Sequence, residues 1–221
     1  MFHRGTLLKS VSNNEFQPQS FISGQSTGYV DLIQAGKVNM ICVAFRPSGA
    51  KAFFPFMMNE INGESISVDA LSCPDLRELE DRLQNTYDNE VCFRLIESFL
   101  LKRLYLSKEY NHKRMAAVIG AVNGGQADIN ILADISCLGY KQFNRVFTGY
   151  VGATPKEFLR VVRFQKALFL LQNQPDLNLT RLAYECGCYD QSHLIKEFKS
   201  FSGYTPSEYI STCAPYSDYF S

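Results

Sequence analysis

An α+β chain is predicted: a small mixed β/α region over residues 1–108, an all-α double helix-turn-helix region over 109–213, and a tail at 214–221. Three observations carry this. A helix–turn–helix pattern occurs twice, at an offset of 50 to 51 residues. One long apolar helix joins the two copies. The first half instead holds a β-branched apolar run and two amphipathic stretches.

Residues 1–28 are polar, and Phe2, Leu7-Leu8 and Phe21-Ile22 are candidates for short edge strands. Val38 to Phe45 is an almost continuous apolar run, which predicts a strand buried on both faces. Arg46-Pro47-Ser48-Gly49-Ala50 marks a turn. The cluster Phe53, Phe54, Phe56, Met57 and Met58 reads as core or a subunit contact, with a ligand cavity as the alternative. Asp75 to Gln84 predicts an amphipathic helix with Leu76, Leu79 and Leu83 inward. Glu90 to Leu106 predicts a second helix, apolar over more than half its girth. It is therefore expected to be buried on several sides or packed on another subunit. Ser107 to Lys113 is the polar connection at the domain boundary.

Arg114 to Val122 opens the second half as a helix with Met115, Val118, Ile119 and Val122 inward. The first copy of the repeat runs from Asp128 to Phe158, the second from Asn178 to Tyr209. Asp128 and Asn178 are helix caps, because their side-chain oxygens accept orphan backbone N–H groups. Leu132-Ala133 matches Leu182-Ala183, Phe147 matches Phe198, and Gly152 matches Gly203. Thr154-Pro155-Lys156-Glu157 and Thr205-Pro206-Ser207-Glu208 are matched capping boxes with proline at the first helical position. Gly187 suits a tight turn, and Asp190 caps the helix after it. Pro155 to Gln174 is one long apolar helix that Pro175 helps to end. A polar helix start projected from an apolar two-helix corner is the layout of a DNA-reading element.

Two such units joined by one long helix, each with the G-x-T-P-x-E-[FY] ending, resemble the DNA-binding domain of the AraC/XylS family of bacterial transcription regulators. The resemblance covers about residues 113–211. Gly139 stands where a serine usually caps the first recognition helix, and Cys188, Tyr189 and Leu194 stand where Phe, Ser and Phe are usual. Residues 16–106 resemble, less specifically, the incomplete cupin-like sensor domain of a regulator subgroup; that domain usually begins with several more strands, so the resemblance implies an N-terminally shortened domain or translation from an internal start.

The resemblance implies a DNA-binding transcription regulator. Its two recognition helices would enter successive major-groove segments, under the control of an effector or of dimerisation through the N-terminal domain. Double-stranded DNA is then the principal partner. A small-molecule effector, RNA polymerase and a second copy of the chain are further candidates, and no membrane is expected. Tyr140, Lys141, Gln142, Asn144 and Arg145 are the candidate DNA-contacting residues of the first helix. Gln191, Ser192, His193, Lys196 and Lys199 are those of the second, with Lys199 suited to phosphate. Gln and Asn can bond adenine bidentately, and Lys or Arg guanine. Arg160, Arg163 and Lys166, three residues apart, either meet DNA backbone or tie subdomains together.

Composition limits the alternatives. Net charge is zero, with 11 basic and 13 acidic residues in 1–112 against 11 and 9 in 113–221, a weak basic bias. The three histidines are far apart and lie in no nucleophile motif, and no phosphate-cradling glycine loop occurs, so neither enzyme nor cofactor is expected. The Pro-Cys-His-Arg signature of DNA-repair methyltransferases is absent. The seven cysteines, odd in number, read as buried reduced thiols, and Cys186-x-Cys188 with His193 fits no standard zinc spacing. No run of about 18 apolar residues is present, and the start Met1-Phe2-His3-Arg4 is not a secretory signal, which predicts a cytoplasmic protein. The competing reading is a protein-interaction module derived from such a regulator that no longer binds DNA specifically.

Overall fold

A computed structural model describes residues 1–104, 110–174 and 176–213. Tyr105, Leu106, residues 107–109 of the connection, Pro175 and the tail lie outside the described residues, as do the side chains of Tyr110 and Cys213, and residues 110–113 of the expected connection are helical instead. The class is α+β. Short strands and helical turns come first, and α-helices alone make up the second half.

The strands pair antiparallel: β1 (Phe2–His3) with β5 (Met40–Ile41), β2 (Leu8–Ser10) with β4 (Leu32–Gln34), and β3 (Phe21–Ser23) with β6 (Ser65–Ser67). The registers place Phe2 opposite Ile41 and Ile22 opposite Ile66. The run Val38 to Phe45 corrects its expectation. Only Met40–Ile41 pair as a strand, and only Ile41 is buried, because sheet and core cover one side of the run alone. Two 3-10 turns follow, Gly49–Ala52 and Met58–Ile61.

Helix α1 (Pro74–Gln84) buries Leu76, Leu79 and Leu83, as its periodicity predicts. They pack with Phe2, Ile41, Val68, Cys92 and Ile96 into one apolar cluster. Helix α2 (Asn89–Arg103) starts at Asp88, whose carboxylate accepts the amides of Glu90 and Val91. It is less buried than its composition suggests. Cys92 and Ile96 are inside, while Phe93 is 48% and Leu101 71% exposed.

Packing divides the chain into two compact units, residues 1–26 with 30–154, and residues 27–29 with 155–221. In the first, α3 (Tyr110–Asn123), α4 (Ile129–Ile135) and α5 (Tyr140–Val151) form a corner around Met115, Val118, Leu132, Phe143 and Phe147, all within 1% of complete burial. The turn Met58–Ile61 packs on the same unit's α5, and Met57 Sδ lies 3.3 Å from where a Cβ on Gly149 would stand, so a larger residue there would make the methionine side chain shift by a few tenths of an ångström. In the second unit, α6 (Pro155–Asn173), α7 (Leu179–Glu185), α8 (Gln191–Ser202) and α9 (Pro206–Cys213) enclose Ala167, Leu171, Leu182, Ala183, Leu194 and Phe198. Among the described residues no helix is long and apolar enough to cross a membrane.

Candidate nucleic-acid interface

Each corner is a seven-residue helix, a turn and a twelve-residue helix. Asp128 accepts the amides of Asn130 at 2.7 Å and Ile131 at 3.3 Å, and Asn178 accepts that of Arg181 at 2.9 Å. The turns close identically. Leu138 N–H donates to Ala133 O and Cys137 N–H to Asp134 O, while Cys188 N–H donates to Ala183 O and Gly187 N–H to Tyr184 O. This double bond pattern satisfies the last helix carbonyls and requires a left-handed residue. The second corner supplies Gly187 at φ 70°, the first Cys137 at φ 53°.

The two longer helices begin differently. Asp190 caps α8 by accepting His193 N–H at 2.7 Å. Gly139 stands at the matching place before α5 and offers no side-chain oxygen, so the leading amides there keep no side-chain partner. A capping box closes the second repeat: Thr205 N–H donates to Glu208 Oε2 at 2.7 Å, and Glu208 N–H to Thr205 Oγ1 at 3.3 Å.

The apolar periodicity decides which side chains face out. With Phe143 and Phe147 buried, Tyr140, Lys141, Gln142 and Arg145 are exposed together on the first turn and a half of α5. Asn144 is only half exposed, and its amide donates to Tyr140 O at 3.1 Å, so in this conformation it turns back on its own helix. On α8, Gln191, Ser192, His193, Lys196 and Lys199 are all exposed on one surface. Thr180 Oγ1 meets Gln191 Oε1 at 3.3 Å, leaving the amide nitrogen of Gln191 outward. Tyr189 N–H donates to His193 Nδ1 at 3.3 Å, which puts the proton of the neutral ring on Nε2.

One determinant of this surface escapes a reading of exposed residues. Glu197 is buried on the inner face of α8. Arg163 grips it with two bonds, Nε to Oε2 at 3.0 Å and Nη2 to Oε1 at 2.7 Å, and Arg160 Nε adds a third at 3.0 Å. Burial alone would raise the Glu197 carboxyl. Hydrogen bonds and charge from Arg163, then Arg160, with His193 3.9 Å away, outweigh it and hold the group below the usual carboxylate range. The signal was present in the sequence: position 197 shares the inward spacing of Leu194, Phe198 and Phe201, and a carboxylate there demands cations. Arg160 and Arg163 thus tie α6 to α8 within the second unit, while Lys166 is exposed.

The thiols divide. Cys92, Cys186 and Cys188 are buried as expected, but Cys42 and Cys137 are exposed, a correction to the uniform reading. Cys42 lies on the uncovered side of its run, and Cys137 at the tip of a turn. Burial, then the neighbouring Cys188, pushes the Cys186 thiol up to about 11, which suits a core residue and not a reactive one. Among the described residues no group of three His, Cys, Asp or Glu side chains is placed to hold a metal.

Comparison with known proteins gives two family matches. Residues 132–212 match "Helix-turn-helix domain", and residues 1–67 match "Domain of unknown function (DUF6597)". An "Uncharacterized HTH-type transcriptional regulator" of Haemophilus influenzae is 29% identical over 131 residues, 58% of this chain and 44% of that protein. The "HTH-type transcriptional activator RhaS" of Escherichia fergusonii is 31% identical over 77 residues, 35% of this chain and 27% of that protein. The match therefore spans less than half the length of either relative. A solved structure of the DNA-binding domain of AdpA in complex with a target DNA is 24% identical, covers 44% of this chain and 90% of that one, and superposes with a TM-score of 0.42.

Proposed function

We propose that this chain, which carries an AraC-type helix-turn-helix domain homologous to those of HTH-type transcriptional regulators, is a sequence-specific, DNA-binding transcription regulator of the bacterial cytoplasm. The observation that carries the reading is the repeated corner. Two helices of equal length each bury an aromatic or aliphatic face and expose a compact polar start, Tyr140 to Arg145 and Gln191 to Lys199. Residues 109–213 form the DNA-binding module in this proposal, and residues 1–108 serve sensing or dimerisation.

Gln142, Arg145, Gln191 and His193 read base edges in the major groove, with Tyr140, Lys141, Asn144, Ser192 and Lys196 beside them. Lys199 and the uncapped amides of α5 hold phosphates. A straight linking helix would let the two elements engage groove segments about 34 Å apart, one turn of B-DNA. The exposed Phe93 and Leu101 of α2 support a second copy of this chain as the dimerisation partner. Sedimentation of a monomer at micromolar concentration would remove that part of the proposal. An effector acting on the N-terminal region and contact with RNA polymerase complete it.

In-vitro selection of random duplex DNA with the full chain tests the central reading. Enrichment of two short half-sites about one helical turn apart supports it. No enrichment, even at low salt, favours the protein-interaction module. Replacing Arg145 with Ala should then weaken binding to the selected site by about 1–3 kcal/mol and relax one base position. Equal weakening on random DNA would place Arg145 on phosphate.

A further inference from the structure

We infer that the groove between the Phe54–Phe56 segment and the start of α1 binds a small apolar carboxylate, with Arg103 as its anion partner. The groove encloses ≈ 220 Å³ within the first unit and is walled by Phe54, Phe56, Leu71, Pro74 and Leu76, with Arg103 at its side. Arg103 is the last residue of α2, and only 16% of its side chain is exposed. Its Nε donates to Phe53 O at 3.2 Å, and its Nη1 lies 3.2 Å from the Cys73 sulfur. The guanidinium carbon sits 5.9 Å from the centre of the Phe54 ring and 5.4 Å from that of Phe99. Among the described residues, the carboxylate that reaches it is Asp75, 3.9 Å away on a side chain 74% exposed.

Among the described residues this is an incompletely satisfied cation. A guanidinium has five N–H donors, and here a carbonyl and a thiol take two. Ring faces offset part of the charge but accept no N–H bond in the plane of the fork. The same chain shows a satisfied arginine for comparison: Arg163 meets Glu197 with two bonds at 2.7 and 3.0 Å. A charge withdrawn from water without a close anion is costly, and an entering carboxylate presents two coplanar oxygens to the remaining N–H groups of Nη1 and Nη2. Proline, leucine and phenylalanine walls favour a hydrocarbon body. The volume is below the roughly 300–1,000 Å³ usual for drug-sized ligands, which limits that body to one ring or a short chain. One positive charge, already shared at 3.9 Å with Asp75, favours a monoanion over a phosphate dianion.

The test uses the full chain without DNA, so its failure leaves the DNA reading untouched. Cyclohexanecarboxylate and 3-methylbutanoate are titrated beside cyclohexanecarboxamide, with the Arg103 Nε–Hε resonance and calorimetry as readouts. The carboxylates should bind saturably, shift that resonance and bind at least tenfold more tightly than the amide. Replacing Arg103 with Gln should abolish that preference. Because the variant also loses the bond to Phe53 O and could unfold, Asp75→Asn is the second arm. It removes the competing charge from an exposed position and should tighten carboxylate binding severalfold, while Ser72→Asp at the rim should weaken it. Equal affinity for acid and amide, an Asp75→Asn chain no tighter than the parent, or no saturable shift with either acid would each overturn the proposal.

Discussion

The α4–α5 corner and the α7–α8 corner have helices of the same lengths and the same turn bonds, yet their longer helices are held by different means. In the first corner, residues Met57 to Ile61 pack on the back of α5 against Gly149, and Val146 occupies the position matched to Glu197. In the second, α8 is tied by Arg160 and Arg163 to a buried carboxylate. The starts differ too. An aspartate caps α8, whereas α5 begins after an uncapped glycine and carries Lys141 and Arg145 without an acidic neighbour. The frame is a local code that can be repeated. The support behind it depends on whatever else the chain packs there.

Removing the ionic tie should have the largest effect. Glu197→Gln leaves two part-buried guanidiniums facing a neutral amide and should cost about 3 kcal/mol, read by denaturant unfolding. Val146→Ala in the first corner should cost about 1 kcal/mol or less, because that residue is only half-buried. Similar losses at the two positions would mean that apolar packing alone holds α8.

The same tie predicts a pH dependence. The folded Glu197 carboxyl lies below its ordinary value of 4.5, so the unfolded chain binds the proton more readily. Its contribution is complete above that value and is lost as pH falls below it, through the folded pKa. Glu197→Gln should therefore flatten the acid limb of Tm against pH.

The turns provide a smaller contrast. Gly187→Ala forces a Cβ into the left-handed region and should destabilise by about 1 kcal/mol. Cys137→Gly relieves the same conformation in the first corner and should stabilise by up to about 1 kcal/mol. A loss at Cys137 would show that its side chain contributes packing that outweighs the strain. The smallest change concerns the cap. Gly139 has an ordinary extended φ of −66°, and an added Cβ there meets nothing within 4 Å. Gly139→Asp should add a few tenths of a kcal/mol to thermal stability. Under the proposed function it should also weaken DNA binding, by placing a carboxylate where a phosphate would sit. Unchanged binding would remove the α5 amides from the interface.

Much of the double corner was readable because its signals are local. Caps, turn glycines and inward positions lie within four residues of one another, and Asp128, Asn178, Gly187 and the Thr205–Glu208 box all stand where spacing puts them. The N-terminal region was harder for the opposite reason. Whether Val38 to Phe45 is buried on one face or two depends on β1, nearly forty residues earlier, and the sequence does not show what lies on its other side. Composition likewise left open whether the chain's own core or a second copy covers α2, and within the chain Phe93 and Leu101 stay exposed. The Arg103 groove needed tertiary structure, since its walls come from three separated segments.

The packing of residues 57–61 on α5 also bears on how the protein is made. Met57 leaves the ribosome more than ninety residues before Gly149, its neighbour in the finished fold. At about 5–20 residues per second, that is a wait of roughly 5–20 s. Thr27–Tyr29 wait longer still, because Tyr29 packs beside Gly203 in the second unit. Gly24 and Gln25 already adjoin its far end at Ile61 and Gly63, but until α5 emerges the face of the methionine-rich turn that packs on that helix is uncovered, so this stretch is where a nascent-chain chaperone would find a foothold.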